Sequence, residues 1–424
     1  MYNTISGFTD EILLPCKQIM VDRKIKIGLF MAPPLTNGAG AGEYFMNLAR
    51  DFAEKGADVE VVTLDRSFFK LLARLLRIFY RLDFLGKSIK NRKDLETEKS
   101  VLMALGGAKW KMVSVGELKS ALSKYDVIYT KNEVLELIFV KLIGYRNLPP
   151  VIVGVHTPLC YPVVKTVQEK LHNFIYTGFI YKFLLFGCAF VHLSNAFTKQ
   201  LVDRKFGVPT KFIYYPFSVE EISGKAKETK SGFRFSEGKV KIIFLARMTE
   251  QKGIDILVNV IDRLSKDKNL TEKIEINIFG KGALEHLAAD LDARYKFVNY
   301  CGYVEHSQIP NILSKHDLFI TTAQWETLPF NVLEAQSMGL PAVAFDIPGP
   351  NDIIIHGKTG YLAQSEDEFL DYLKVLVMNF TKFDKEEIVN GVVKRFSSDK
   401  IYAELYDMFI GCINLKRSDK YFKR

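Results

Sequence analysis

The strongest constraint on the fold of this chain is an alternation of short apolar runs with helical stretches, which occurs twice along the sequence. Strands that alternate with helices are typical of a parallel sheet covered by helices on both faces. The sequence therefore predicts an α/β protein with two doubly wound, Rossmann-like domains that face each other across a ligand-binding cleft. The first series of predicted strands is 24–30, 58–64, 126–130, 151–155 and 189–194, and the second is 240–246, 274–279, 297–300, 318–321, 341–345 and 360–363.

A polar stretch with few large apolar residues separates the two series and predicts the domain boundary. We expect an N-terminal domain over 1–217, a linker over 218–238 and a C-terminal domain over 239–397. Residues 398–424 are predicted to form a helix that packs back towards the N-terminal domain, followed by a basic tail.

Composition excludes several classes of protein. With 48% hydrophobic and 12% aromatic residues, the chain buries enough surface to exclude wholesale disorder. The five cysteines are scattered and form no CxxC pair, which fits neither a disulfide framework nor a zinc cluster and suggests a reducing compartment. The net charge of +9 favours anionic partners.

Two segments have features of targeting or membrane elements, but neither predicts one. The first 24 residues lack a basic start and carry charges within every apolar run, so they do not predict a signal peptide. The most apolar window, Phe174 to Leu193, contains Lys182 and breaks at Gly187. We predict a buried helix followed by a strand there, rather than a membrane span.

Two glutamates eight residues apart form the most informative motif. Glu326 follows a predicted strand, and Glu334 lies two turns into a helix that Pro329 is suited to open. The unpaired backbone amides of Leu328, Phe330 and Asn331 would then point towards the cleft as an anion site. Both carboxylates can accept hydrogen bonds from sugar hydroxyls. The alternative is a helix cap and a solvated side chain.

A second motif places two cations on one strand-to-helix loop. Arg247 ends a predicted strand and Lys252 precedes the next helix. Such a pair can clamp a diphosphate, Arg through its planar fork and Lys as a point charge. The alternative is a pair of solvated loop cations.

A glycine-rich loop at 38–43 precedes a predicted helix. It is not a dinucleotide fingerprint, because Glu43 occupies the sixth position and seven residues separate the strand from the loop. The loop can still let a diphosphate or sugar approach the backbone.

His156 follows a predicted strand, at the end that faces the cleft in such folds. The alternative is a buried structural histidine. The other six histidines form no paired metal-binding pattern.

Taken together, these motifs resemble glycosyltransferase family 4, the retaining GT-B enzymes of the glycosyl transferases group 1. Gly40 to Glu43 is similar to the family's GGxE turn, with Ala41 in place of the second glycine, and His156 to its strand-end histidine. The segments that resemble the family's C-terminal motifs are ARMTEQKGIDIL, NIFGKGALEHL, YCGYVEHSQIPNILSKHDLFI and QWETLPFNVLEAQSMGLPAVAFDIPGPNDII.

The resemblance implies a role for each motif. Arg247 and Lys252 would neutralise the donor diphosphate, Glu326 would hold donor-sugar hydroxyls and Glu334 the ribose, and His156 would join them as a catalytic residue. The chain has Thr327 and Pro329 where many relatives have glycine, so one amide donor is lost. Gly302, Tyr303 and Val304 would flank the base. The other implied donor contacts are Gly40, Ala41, Thr327, Leu328, Pro329 and Phe330.

The resemblance also implies a function. We expect a retaining, metal-independent hexosyltransferase that takes a nucleotide sugar, UDP-linked rather than GDP-linked, and requires no further cofactor. The acceptor would be lipid-linked or a polysaccharide in cell-envelope glycan synthesis, with no nucleic acid partner. The alternatives are a GT-B nucleotide-sugar epimerase, a sugar phosphorylase or a catalytically silent partner subunit.

A basic amphipathic helix is predicted over Phe68–Leu82. Lys70, Arg74, Arg77 and Arg81 form one stripe, opposite a leucine-rich face. Such a helix can lie in an anionic leaflet. The resemblance implies lipid-linked acceptors at the cytoplasmic face, and together the two predict a cytoplasmic protein peripheral to the inner face of the membrane. The alternative is an ordinary helix of the N-terminal domain.

Overall fold

The computed structural model describes residues 25–32, 41–65, 67–68, 105–156, 158–161, 164, 167–217, 222 and 238–417. Two parallel sheets with helices packed against them account for this part of the chain, as the alternating pattern predicts. No helix of these ranges is long and apolar enough to cross a bilayer.

The first sheet has seven parallel strands in the order β3-β2-β1-β4-β5-β6-β7. Five of them were predicted, with ends that differ by no more than two residues. Its strands are β1 (Lys26–Met31), β2 (Asp58–Leu64), β3 (Lys109–Val113), β4 (Val127–Lys131), β5 (Val151–Gly154), β6 (Phe190–Leu193) and β7 (Thr210–Phe212).

The described helices of this domain follow the strands along the chain. They are α1 (Ala41–Glu54), α2 (Leu118–Leu122), α3 (Val134–Ile143), α4 (Val167–Thr177), α5 (Phe179–Leu185) and α6 (Ala196–Phe206).

The second sheet has six parallel strands in the order β10-β9-β8-β11-β12-β13, and all six were predicted. The four central strands are almost continuous apolar runs because both of their faces are covered. The strands are β8 (Val240–Leu245), β9 (Ile274–Phe279), β10 (Val298–Gly302), β11 (Leu318–Thr321), β12 (Ala342–Phe345) and β13 (Gly360–Ala363).

The helices of the second half include the helix that carries the predicted ribose-binding glutamate. They are α7 (Ile254–Leu264), α8 (Lys268–Thr271), α9 (Glu285–Arg294), α10 (Ile309–Leu313), α11 (Phe330–Ser337), α12 (Pro350–Ile353), α13 (Glu366–Asn379), α14 (Lys385–Phe396) and α15 (Ser398–Arg417).

The last described helix, α15, packs on the first sheet. Phe409 is fully buried, with its ring 5.3 Å from that of Phe52 and 6.0 Å from that of Tyr129. Tyr402 donates a hydrogen bond to the Asp51 carboxylate of α1. The chain therefore crosses from the second sheet back to the first after α14.

Each sheet has one point at which the strand order reverses, between β1 and β4 in the first sheet and between β8 and β11 in the second. Loops at the carboxyl ends of the two reversing strands separate there and leave a crevice, which is the usual ligand site of such sheets. Arg247 and Lys252 follow β8, and Glu326 follows β11.

The prediction of a buried helix within Phe174–Leu193 is wrong in part. The segment forms the end of α4, then α5, and then β6, with the two helices separated at Gly178. The strand was predicted, but the helices are not buried: Phe174 is 69% exposed and Phe179 79% exposed. Hydropathy alone does not distinguish an apolar face that contacts the core from one that contacts solvent.

Candidate active site

The crevice of the second sheet brings together two predicted charged residues that are 74 positions apart. Lys252 Nζ and Glu326 Oε1 form an ion pair, and the two side chains are 13% and 9% exposed. The backbones beside them are joined as well. Gln324 donates from its amide to the Gln251 carbonyl at 2.9 Å, and Thr322 Oγ1 donates to the Gly253 carbonyl at 2.7 Å. The two loops thus form one connected unit.

Two glycines permit this close approach. Gly253 has φ +67°, and a Cβ there would lie 1.8 Å from the Thr322 carbonyl oxygen. Gly349 has φ +96°, and a Cβ there would lie 3.1 Å from Glu326 Cβ and from the Thr327 carbonyl oxygen. A side chain at either position would push the loops apart, so both are held as glycine by geometry.

Arg247 lies on the same loop as Lys252 but is exposed, and its guanidinium approaches Gln251 Oε1 at 3.5 Å. Because the side chain is solvated, its charge is accessible to an anion. The predicted diphosphate clamp therefore consists of one exposed cation and one largely buried cation that is already paired with a carboxylate.

The helix after Glu326 begins one residue later than proline in a first turn would imply. Pro329 is the residue before α11, with φ −77° and ψ 105°, and its carbonyl accepts the first helical hydrogen bonds, from Val332 and Leu333. Asn331 Nδ2 donates to the Leu245 carbonyl at 2.8 Å, which fixes the start of α11 beside the end of β8. The amides of Phe330 and Asn331 precede those bonds, so the dipole of α11 begins at the crevice.

Glu334 is 5% exposed and accepts a hydrogen bond from His306 Nε2 at 2.9 Å. His306 begins a 3-10 helix, His306–Gln308, immediately after the predicted base-flanking residues. His306 could not be identified from the sequence, because a single histidine in a turn belongs to no recurring sequence motif.

Gly302, Tyr303 and Val304 lie between β10 and that 3-10 helix. Gly302 has φ +71°, and Val304 is buried in the same apolar cluster as Leu328. Tyr303 is 53% exposed, with Lys281 Nζ 4.1 Å from its ring centroid. Two of these three positions are thus accessible to a ligand. Lys281 was also not singled out from the sequence.

His156 lies at the carboxyl end of β5, in a cluster of aromatic rings. Its ring is stacked on that of Tyr215 at 5.2 Å and lies 4.3 Å from that of Tyr44. Burial lowers the pKa of His156 well below its usual value. No described contact joins His156 to Lys252 or Glu326, so these predicted residues lie in separate parts of the site.

The hydrogen bonds around His156 determine its tautomer. His192 Nε2 lies 2.8 Å from the Ile213 carbonyl, which only accepts, so this nitrogen carries the proton. His192 Nδ1 therefore accepts from the Tyr129 hydroxyl at 2.7 Å, and His156 Nε2 donates to the Tyr129 oxygen at 3.2 Å. His156 Nδ1 is then a bare acceptor, buried and without a partner among the described residues.

Two contacts join the two domains at the Glu326 loop. Asn195 Nδ2 donates to the Thr327 carbonyl at 3.2 Å, while Asn195 Oδ1 caps α6 by accepting from the Thr198 amide. Trp325 packs edge-on against Tyr161, with ring centroids 5.0 Å apart. The loop that follows β11 thus contacts both domains.

Some of the predicted residues lie outside the described ranges or at their ends. Gly40 lies outside the described residues, and Ala41 is the first residue of α1, with only its backbone described. Phe68 is described and packs against Phe139 of α3, with ring centroids 5.3 Å apart. The remainder of the predicted Phe68–Leu82 helix, with all four cations of its basic stripe, lies outside the described residues.

Comparison with known proteins agrees with the fold. The chain is similar to the structure of Anabaena HepE in complex with UDP and glucose, with a TM-score of 0.61, 14% identity, and coverage of 91% of this chain and 100% of that one. The fold is GT-B, as the sequence predicted.

Residues 225–402 match the family model of the glycosyl transferases group 1. A protein from the cps region of Klebsiella pneumoniae is 24% identical over 65% of this chain and 80% of its own length. The Escherichia coli UDP-Gal:alpha-D-GlcNAc-diphosphoundecaprenol alpha-1,3-galactosyltransferase is 37% identical over 24% of this chain and 29% of its own length. The family match and the fold together support a group 1 glycosyltransferase of the GT-B type.

Proposed function

We propose that this protein is a retaining hexosyltransferase of family 4, which transfers a sugar from a UDP-sugar to a lipid-linked or polysaccharide acceptor in cell-envelope glycan synthesis. The observation that carries the proposal is the pairing of Lys252 with Glu326 at the crevice of the second sheet. A cation for phosphate and a carboxylate for sugar hydroxyls lie side by side there, next to the start of α11.

Donor binding would replace the internal ion pair with contacts to the ligand. Diphosphate oxygens would take over Lys252 Nζ and the exposed guanidinium of Arg247, and the Glu326 carboxylate would accept from hydroxyls of the sugar. Glu334 would accept from the ribose, with His306 and Tyr303 lining the approach to the base. The sugar and the ribose are placed in this order because Glu326 follows β11 and Glu334 lies further on, in α11.

The chemical step needs no protein nucleophile if the acceptor attacks from the face of the leaving group. The departing phosphate oxygen then takes the acceptor proton, and the two cations stabilise the charge that develops on the diphosphate. His156 stays neutral, and its bare Nδ1 would accept a hydrogen bond from a substrate hydroxyl. The proposal includes no metal and no cofactor besides the donor.

The cps-region relative and the galactosyltransferase, whose printed substrate is a diphosphoundecaprenol-linked sugar, support an envelope glycan and a lipid-linked acceptor. UDP in the donor position is supported by the name of the same enzyme and by the complex of HepE with UDP and glucose. We propose that the protein acts at the cytoplasmic face of the membrane.

The test is a thermal-shift panel of UDP-, GDP- and ADP-sugars, followed by product analysis with the donor that binds. A ligand at 100 times its dissociation constant stabilises the folded state by about 2.7 kcal/mol. Anomeric analysis of the product by NMR decides retention. An isomerised free donor would identify an epimerase, and phosphate-dependent shortening of a glycan would identify a phosphorylase. A protein that binds none of the nucleotide sugars would be a silent subunit.

A further inference from the structure

The most exposed apolar surface among the described residues lies on α3, α4 and α5 of the N-terminal domain. Phe174, Phe179 and Phe186 are 69%, 79% and 67% exposed, and Leu142 is 78% exposed. We call this surface the aromatic face; its members are Leu142, Leu171, Phe174, Phe179, Phe183 and Phe186.

The periodicity of α5 shows that this exposure follows from the sequence. Phe179, Phe183 and Phe186 recur at intervals of four and three residues, which places them on one side of the helix. The other side carries Tyr181 and Leu184, which are buried in the core of the domain. A helix that already buries one apolar side has no structural need for phenylalanines on the other. A contiguous apolar patch of this kind is typical of an interaction site.

Basic residues are interleaved with the aromatic face. Lys141 Nζ lies 4.4 Å from the ring centroid of Phe183 and 5.5 Å from that of Phe186, and it donates to the Phe186 carbonyl at 2.8 Å. Lys170 and Lys182 are exposed on α4 and α5. On the three helices the only acids are Glu136, which is buried and paired with Lys131, and Glu169. The chemistry is apolar with a positive charge.

The aromatic face is close to the cleft. On α4, Leu171 and Phe174 point to solvent, while His172 and Tyr176, on the opposite side of the helix, stack on each other at 4.2 Å. His172 contacts Tyr161 at 4.7 Å, and Tyr161 contacts Trp325 of the Glu326 loop. One helix, about 10 Å thick with its side chains, therefore separates the aromatic face from the residues at the cleft.

We infer that the aromatic face docks this protein on an anionic bilayer, with the phenylalanines at the acyl boundary and the lysines among the head groups. Aromatic and aliphatic side chains that alternate with cations are the composition that binds such an interface. The docking would hold the cleft within one helix thickness of the surface from which a lipid-linked acceptor emerges. This last point rests on the proposed function, whereas bilayer binding itself does not.

The test is flotation with vesicles of mixed phosphatidylglycerol and phosphatidylcholine at low and high salt. We expect wild-type protein to bind at low salt. The Phe179→Ser/Phe183→Ser variant should bind at least about tenfold more weakly, because two apolar side chains no longer leave water on binding. Val375→Ser/Met378→Ser is the matched control, since these residues are 43% and 64% exposed on α13 of the other domain. It should bind like wild type.

A second measurement reports insertion directly. Phe183→Trp should give a blue-shifted emission that brominated lipids quench, whereas Val375→Trp should give neither. Unchanged thermal unfolding of all variants shows that the fold is kept, because the replaced side chains are exposed. Lys170→Glu/Lys182→Glu should weaken binding at low salt and reduce its salt dependence.

Three results would overturn the inference. Wild-type protein that ignores anionic vesicles is one, and a concentration-dependent dimer that Phe179→Ser/Phe183→Ser abolishes without any vesicle binding is another. The third is vesicle binding that survives in that variant and is lost when Lys70, Arg74, Arg77 and Arg81 become Glu. Nucleotide binding is read separately, so a protein that floats with vesicles but binds no UDP-sugar would refute only the proposed function.

Discussion

Removing either partner of the Lys252–Glu326 ion pair should destabilise the fold. The effect on nucleotide binding should depend on which of the two partners is removed. Removing one member of a buried ion pair costs about 3–5 kcal/mol of stability. The two side chains remain 13% and 9% exposed at the edge of a cleft. We therefore expect Lys252→Met or Glu326→Gln to lower the free energy of unfolding by about 2–3 kcal/mol. In the double variant no buried charge remains uncompensated. The stability loss of the double variant should therefore be smaller than the sum of the two single-variant losses by about 2 kcal/mol, which is within the range measured for residues in contact.

Binding of UDP separates the two roles. Lys252→Met removes a charged hydrogen bond to phosphate, worth about 1.5–3 kcal/mol, so affinity should fall by about tenfold or more. Glu326→Gln releases Lys252 from its internal partner, so UDP should bind at least as tightly as to wild type. The same variant should lose the extra affinity that the sugar of a UDP-sugar provides.

The assays are urea denaturation for stability and isothermal titration calorimetry for UDP and UDP-sugars. Lys199→Met is the matched control for the stability change, because Lys199 and Asp203 form an ion pair with 38% and 39% exposure. Its cost should remain below about 1 kcal/mol. Strictly additive losses in the double variant would refute the coupling, and equal losses of UDP affinity in both single variants would refute the division of roles.

Further changes test other parts of the structure. Arg247→Ala should lower turnover by about a hundredfold without changing urea stability, because the side chain is exposed and acts on transition-state charge; unchanged turnover would exclude it from the clamp. Glu334→Gln should weaken UDP binding by about 1–3 kcal/mol in calorimetry, and equal affinity would contradict the ribose contact. Burial lowers the pKa of His192 to about 4. Unfolded chains take up this proton near pH 6.5 and the folded state does not, so stability falls as pH falls, by about 2 kcal/mol between pH 7 and 5. Urea denaturation at pH 7 and pH 5 should show that His192→Asn loses about 2 kcal/mol less stability between these pH values than wild type does. The same loss in both proteins would show that His192 does not titrate as inferred. Phe409→Ala should cost about 3–5 kcal/mol of stability, and a cost below 1 kcal/mol would mean that α15 is not part of the first domain's core.

Most of the sheets could be predicted from sequence because strands covered on both faces are apolar throughout. The two missed strands, β3 and β7, are at the edges of the first sheet and have the sequences KWKMV and TKF. Edge strands are only partly covered and commonly carry lysine, so they lack the apolar signal.

The site was predictable where strand-end position decides it, as for Lys252 and Glu326, since the ends of parallel strands meet at one edge of a sheet. Their direct ion pair was not predictable, because side-chain distances depend on loop conformations set by Gly253 and Gly349. His306 and the tautomer of His156 were not predictable either, because both depend on partners that are distant along the chain.

The return of α15 to the first sheet sets an order for folding during synthesis. Residues 240–396 form a contiguous unit whose strands and helices are all present once Phe396 has left the ribosome. The first domain is translated earlier, but Phe52 and Tyr129 stay uncovered until Phe409 arrives. The domain that is synthesised first is therefore the one completed last, and its core is closed by the final helix of the described chain.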